Sequence, residues 1–286
     1  MGLMLTVECV DDGRHARFVD GGRPALRHLA IARGGAADRE SAAAGNRLLE
    51  QAPNHCCIEM TLRGGHWMLR GRGQLTLTGA DMGWHLDGEP VDRYRTITLD
   101  GHHELRGGLA RTGCRGYVCL RGHWELPRVM ESVEAGLPGV VEPRRGLRFD
   151  VKWAGEVPHR IAWTSDAGLR QEVTVQVVPG PEWRLVSQHD RQSVVGTEYR
   201  VGRHSDRQGI RLESEALPRL GLPEMISSPV VPGTVQWTDG GPILLGPDAQ
   251  TVGGYPRVLL AAPLPDAVFQ LRPGGALRFS LLKAGL

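Results

Sequence analysis

Residues 226–257 read ISSPVVPGTVQWTDGGPILLGPDAQTVGGYPR. VPGTVQW (231–237) and PILL (242–245) are β-rich runs, and Thr238-Asp239-Gly240-Gly241 separates them. Asp239-Gly240 in that setting predicts a hairpin, because a tight turn needs φ > 0 and glycine has no Cβ to forbid it. Beyond the hairpin, Asp248, Gln250, Thr251 and Tyr255 cluster around Gly253-Gly254. Such a polar group held by glycines has two readings. It is a turn-rich loop closing the end of a β-barrel, or a place where main-chain N–H groups come close to a ligand.

The same grammar runs outward through the chain. Glycine pairs at 21–22, 34–35, 64–65, 107–108, 240–241, 253–254 and 274–275 punctuate short runs. Leu75 and Leu77 alternate with Thr76 and Thr78; Val173, Val175 and Val177 alternate with Thr174 and Gln176; Leu277, Phe279 and Leu281 alternate with Arg278 and Ser280. Period two with glycine turns predicts a mainly β chain of sandwich or barrel type, each strand burying one face. Helix signals are sparse. AADRESAAAGNRLL (36–49) follows a glycine turn, with Asp38 and Glu40 where negative charge suits a helix start. Short helical pieces are expected at 182–188, 189–195 and 265–271. The mixed Pro, Gly and charged segment near 150–171 predicts two units, 1–165 and 166–286.

Composition narrows the function. The 286 residues are 41% apolar and 23% charged, which is globular. No apolar run reaches the roughly 18 residues of a membrane span, and no secretory leader pattern opens the chain. Net charge is +2 with no basic block, so neither nucleic acid nor a membrane surface is an expected partner. The five cysteines include adjacent Cys56 and Cys57 but no C-x-x-C, so neither a disulfide framework nor a zinc site is expected, and a cytoplasmic location fits. P-loop, G-x-G-x-x-G, H-E-x-x-H and G-x-S-x-G motifs are all absent. No lysine sits in a Met-Lys-Met setting, so the chain carries no covalent biotin.

Four clusters carry candidate chemistry. Gly34-Gly35-Ala36-Ala37-Asp38-Arg39 is a glycine turn entering a helix, whose N–H groups can hold an anion; alternatively Asp38 simply starts the helix. Asp81, in Thr78-Gly79-Ala80-Asp81, binds a substrate amide or metal, or shapes a turn. Arg207, in Ser205-Asp206-Arg207-Gln208-Gly209, clamps a carboxylate or phosphate, or is part of an Asp206-Arg207 turn. The fourth cluster is the opening stretch with Gln236, Asp248, Gln250 and Tyr255. Glu59 alternates with apolar residues in IEMTL and faces either a pocket or solvent.

Taken in order, these blocks resemble the KipA family, the C-type subunits of prokaryotic ATP-dependent 5-oxoprolinase, also described as a carboxyltransferase-like or second allophanate-hydrolase-type domain. The resemblance rests on RGGAADR (33–39), Asn46, IEMTLRGG (58–65), LTGAD (77–81), LDGEPV (86–91), GCRGYVCL (113–120), VVPGP (177–181), SDRQGIRLE (205–213), VVPGTVQW (230–237), DAQTVGGYPR (248–257) and QLRPGGALRF (270–279). It implies a fold of two cyclophilin-like β-barrels. It also implies two partners, a KipI-like B-type subunit and a LamB/YcsF-like A-type subunit, with a small lactam or amide as substrate. The complex opens 5-oxo-L-proline to glutamate with ATP and Mg2+, held by some arrangement shared with the partner.

An unstrained lactam carbonyl is a poor electrophile, and phosphorylating its oxygen calls for donors aimed at developing negative charge. On this resemblance Asp38, Arg39 and Arg207 are catalytic, and Gly34, Gly35, Asn46, Glu59, Asp81, Gln236, Gln250, Gly253, Gly254 and Tyr255 contact substrate. The resemblance also admits a regulatory partner of a KipI-like protein without chemistry, or a carboxyltransferase module of a biotin-dependent urea carboxylase. Two departures stand out: 126–146 lacks the family's Gly-Ser-Arg segment, and Ala32-Arg33 replaces two prolines.

Overall fold

Short alternating runs can satisfy their backbone N–H and C=O groups only by pairing with one another, and here they do so in two units. The computed structural model describes residues 4–13, 15–161, 169, 171–223 and 225–282. One compact unit comprises Met1–Arg23 with Gly34–Leu169, the other Pro24–Arg33 with Arg170–Leu286. The expected boundary at 165/166 lies outside the described residues. No sequence signal marks 24–33 as belonging with the second unit. The chain is mainly β, with two α-helices among the described residues.

The first unit contains β1 (Met4–Asp11), β2 (Arg17–Val19), α1 (Arg39–Leu48), β3 (Cys57–Thr61), β4 (His66–Asp81), β5 (His85–Leu86), β6 (Glu89–Pro90), β7 (Ile97–Arg106), β8 (Thr112–Leu120), β9 (His123–Trp124) and β10 (Arg148–Lys152). They form one sheet in the order β2-β3-β8-β4-β1-β10-β9, with β7 added along β4 and the β5–β6 hairpin along β7. The long β4 serves three neighbours: β1 over 66–71, β7 over 66–75 and β8 over 75–81. The two-barrel, mainly β architecture expected from the resemblance is present, with a closed barrel in the second unit and, in the first, a curled half-barrel sheet that ends at β2 and β9.

The alternation of β4 predicted one solvated face, but both faces of 74–80 are buried. Leu75 and Leu77 enter a core with Leu5, Ile58, Trp67 and an aromatic group of Phe18, Trp124 and Phe149. Thr76 and Thr78 face α1 instead. Their hydroxyls donate to the Gly45 and Ser41 carbonyls at 3.1 and 2.8 Å. The helix comes this close because residue 45 is glycine: a Cβ there would stand 2.7 Å from the Cys119 sulfur. Cys56 and Cys57 divide between the two layers, Cys56 in the main core and Cys57 beneath α1, as adjacent strand residues must.

The second unit contains β11 (Glu172–Pro179), α2 (Gln188–Gly196), β12 (Glu198–Val201), β13 (Gly209–Glu213), β14 (Ser228–Pro229), β15 (Thr234–Thr238), β16 (Gly241–Leu245), β17 (Val252–Gly253), β18 (Arg257–Ala261) and β19 (Ala276–Leu281). Seven strands close a barrel, β11-β18-β15-β16-β13-β12-β19, through a parallel β11–β19 pair. The predicted hairpin is present, Thr238 opposite Gly241. Its positive φ of 113° falls on Gly241 rather than on Gly240. Val175, Val177, Tyr199, Val235, Leu244, Leu259, Leu277 and Phe279 fill the interior. β14 and β17 form a separate two-stranded ribbon. Among the described residues no helix is long and apolar enough to cross a membrane.

Candidate functional site

In the first unit the candidates gather where the chain turns into α1. Gly34 and Gly35 take φ of 64° and 87°, values that side-chain-bearing residues rarely adopt. Asp38 caps the helix: its carboxylate accepts from Ser41 N at 2.9 Å and from the Ser41 hydroxyl at 2.6 Å. The helix-start reading of Asp38 therefore holds.

The turn's amides were expected to await an outside anion. The protein's own groups take them instead. Gly35 N–H donates to the Glu134 carboxylate, and a Cβ on Gly34 would stand 2.1 Å from the same oxygen. Ala37 N–H donates to Glu59 Oε2 at 2.8 Å, and Asp38 N–H donates to the Tyr117 hydroxyl at 2.8 Å. That hydroxyl in turn donates to Glu59 Oε2 at 2.9 Å. Burial, then the nearby Glu59 and Asp38 charges, push the Tyr117 phenol well above its ordinary range, so it stays protonated as a donor. Arg115 Nε stands 3.8 Å from Glu59 Oε1 and offsets part of the negative charge. Glu134 is itself placed by buried Arg23, whose Nη2 donates to the Glu134 carbonyl at 2.6 Å.

Three expected substrate contacts in this unit bond to the protein's own groups in this structure. Glu59 is buried and staples the Gly34–Asp38 turn rather than pointing to solvent. Asn46 lies on the covered face of α1 and donates to the His55 carbonyl at 2.9 Å, closing the loop after the helix. Asp81 shapes a turn, its Oδ1 accepting from Gly83 N at 2.9 Å. Arg39 is exposed at the start of α1 and Gly34 is half-buried. Sequence reasoning missed Glu134, Arg23 and Tyr117. The first two sit in loops without periodicity, and their only signal was charge at positions that prove to be buried.

In the second unit Arg207 is the centre. The turn reading of Asp206-Arg207 holds, since Asp206 Oδ1 accepts from Gln208 N at 2.8 Å and from Gly209 N at 3.1 Å. Arg207 itself grips Asp248 with two parallel bonds, Nε–Oδ2 2.9 Å and Nη2–Oδ1 2.7 Å, both side chains largely buried. The carboxylate it was expected to clamp is the chain's own. Gln236 is buried; its Nε2 donates to the Tyr255 carbonyl at 3.3 Å and its Oε1 accepts from Gln250 Nε2 at 3.3 Å. Gly253 makes room for that amide, since a Cβ would lie 2.5 Å from it. Gln250, Gly254 and the Tyr255 ring are exposed.

Two arginines not singled out from sequence complete the cluster. Arg27 Nη2 donates to the Val230 and Gln250 carbonyls, each at 2.6 Å. Arg257 holds the Glu182 carboxylate at 3.0 and 2.9 Å and the Pro229 carbonyl at 2.9 Å. The charge-assisted bonds from Arg257 keep Glu182 below the ordinary carboxylate range. Largely buried carboxylates matched to arginines thus tie these loops together.

Residues 29–281 match the family described as carboxyltransferase domain, subdomain A and B. The chain is 29% identical over 285 residues to the 5-oxoprolinase C subunit of Haemophilus influenzae, covering 96% of this chain and 90% of that protein. It is 21% identical over 304 residues to the urea amidolyase of Saccharomyces cerevisiae, covering 96% of this chain but 16% of that protein. The crystal structure of TTHA0988 superposes with a TM-score of 0.86 at 25% identity, covering 98% of this chain and 58% of that one.

Proposed function

Because the chain belongs to the carboxyltransferase family of subdomains A and B, we propose that it is the C-type subunit of a 5-oxoprolinase-like, ATP-dependent lactam-opening complex. The observation that carries this reading is the likeness to the 5-oxoprolinase C subunit, which runs along 90% of that protein rather than over an isolated motif. Its partners are a KipI-like B-type subunit and a LamB/YcsF-like A-type subunit, in the cytoplasm.

Among the described residues no group of three acidic, His or Cys side chains converges to hold a metal ion. A Mg2+ ion carried by ATP needs only one or two carboxylates besides the phosphates, and in this reading ATP and Mg2+ are held by an arrangement shared with the KipI-like partner. What this chain contributes is orientation. Arg39, exposed beside the Gly34-Gly35 turn, supplies positive charge toward an oxyanion. Asp38, Glu59 and Glu134 are positioning residues that fix the turn behind it. In the second unit Arg207 positions Asp248 and its loop, and Gln250 and Tyr255 offer exposed contacts.

Reconstitution tests this. The isolated chain should turn over nothing, and the mixture with its KipI-like and LamB/YcsF-like partners should hydrolyse ATP only when 5-oxoproline is present. Arg39→Ala should lower kcat in that mixture by about 10²-fold, the scale of losing one oxyanion donor. A fully active Arg39→Ala complex would remove the assignment. A second reading, a carboxyltransferase module served by a biotin carrier on another chain, is favoured by the family's description and by the urea amidolyase likeness. Activity dependent on biotin and bicarbonate would select it instead.

A further inference from the structure

Two of the glycine pairs outside the clusters described so far each follow an arginine: Arg63-Gly64-Gly65 and Arg106-Gly107-Gly108. The two stretches cross in the first unit. Gly64 N–H donates to the Gly108 carbonyl at 2.9 Å, and Gly107 N–H to the Gly65 carbonyl at 2.8 Å. There is no room for side chains at the crossing. A Cβ on Gly64 would lie 2.6 Å from Gly107 Cα, and one on Gly107 would lie 2.7 Å from the Trp84 ring beneath. The crossing therefore sets Arg63 and Arg106 on the wall of one basin of about 440 Å³.

A third arginine joins them. Arg111 N–H donates to the Asp81 carbonyl at 2.6 Å, and the guanidinium lies beside Gly83 on the same wall. The acidic groups here are Asp11, which takes one bond from Arg63 Nη2 at 2.6 Å, and Glu104, which takes one from Arg106 Nη2 at 2.6 Å. His66 Nε2 lies 2.6 Å from Glu104 Oε1 without hydrogen-bond alignment. His85 directs Nδ1 to the Gly83 carbonyl at 2.9 Å. Arg111 has no ion-pair or hydrogen-bond partner for its guanidinium among the described residues.

Single, water-exposed bonds of this kind are weak and readily exchanged. Each guanidinium carries five N–H donors, so Arg63 and Arg106 retain unused ones. The Gly64, Gly107 and Gly108 amides are already bonded, so the arginine side chains are the main donors left for a ligand. One carboxylate is satisfied by a single arginine fork, whereas three separate guanidinium groups around one basin match the several oxygens of a tetrahedral oxyanion.

We propose that this basin, walled by Arg63, Arg106 and Arg111, binds a phosphate group. The source is a free phosphate or pyrophosphate, or the phosphate chain of a nucleotide. The inference does not rest on the lactam-opening reading.

Calorimetric titration of the full chain with pyrophosphate, ATP and acetate at matched ionic strength tests it. Pyrophosphate should bind and acetate should not compete. Arg111→Ala should weaken pyrophosphate about tenfold, the scale of one hydrogen bond to a charged group. Arg106→Gln should weaken it in the same direction, and Arg200→Ala, in the second unit, should leave it unchanged. Arg111→Ala should keep the wild-type melting temperature, because its guanidinium holds nothing in place. Tighter binding of ATP than of pyrophosphate assigns the basin to a nucleotide's phosphate chain, and equal binding assigns it to free phosphate; both support the site. Absence of pyrophosphate binding, full competition by acetate, or wild-type affinity in both Arg111→Ala and Arg106→Gln would overturn it.

Discussion

Asp248→Asn separates the charge of the Arg207–Asp248 pair from its shape. The two residues join the turn at 205–209 to the turn at 246–249, where Asp248 N–H also donates to the Arg207 carbonyl at 3.2 Å. Their side chains are 6% and 16% exposed. At a charge separation of ~4 Å and an effective dielectric constant of ~20, the attraction is about 4 kcal/mol. Asparagine keeps the outline and one acceptor oxygen, but it turns an N–H2 group toward the guanidinium and leaves the Arg207 charge buried without its counter-charge. Breaking a buried pair costs about 3–5 kcal/mol when the site is fully dry, and the partial exposure of Asp248 lets water offset some of that, leaving about 2–3 kcal/mol.

Urea denaturation of the full chain should show a lower midpoint with unchanged slope. Hydrogen exchange should rise in peptides covering 205–213 and 241–249. The double variant Arg207→Met with Asp248→Leu should recover most of the loss, since neither charge is then buried alone. A stability for Asp248→Asn within ~0.5 kcal/mol of wild type would refute the electrostatic argument, as would a double variant equal to the sum of the singles.

Thiol chemistry gives an independent check on the cores. All five cysteines are free and buried, and burial with the neighbouring Asp12 and Asp11 charges pushes the Cys9 thiol up to about 12. Native protein at pH ~8 should therefore react negligibly with a thiol-selective reagent, because the thiolate is the reactive form, and denatured protein should yield all five; fast labelling of any one in the native state contradicts the packing. The Glu182–Arg257 pair predicts a pH dependence. Glu182 is held low when folded, so its stabilisation is complete above the ordinary carboxylate pKa and disappears as pH falls through the lower folded value. Glu182→Gln should melt lower than wild type at neutral pH and lose less between pH ~5 and ~3; parallel acid profiles would contradict this.

Much of this architecture is written in local chemistry. The alternation in 173–177 and 277–281, the turn at Asp239-Gly240 and the helix at 39–48 follow from side-chain period, from turn geometry and from a capping aspartate. Each is decided within a few residues and needs no distant partner. The division of Cys56 and Cys57 between two layers follows from the same period. The order of the blocks along the chain also sufficed to place it within a family.

Direction and occupancy were settled only by tertiary structure. Sequence placed Glu59 and Arg207 among groups poised for a ligand. It could not show that the Ala37 and Gly35 amides are already taken by Glu59 and Glu134, 75 residues apart in the chain. Nor could it show that Arg207 is closed on Asp248, 41 residues away. A carboxylate or guanidinium has the same residue name whether it faces solvent, substrate or its own counter-charge. What distinguishes these cases is which distant loop arrives beside it, and that is fixed by how the sheet and the barrel bring remote segments together.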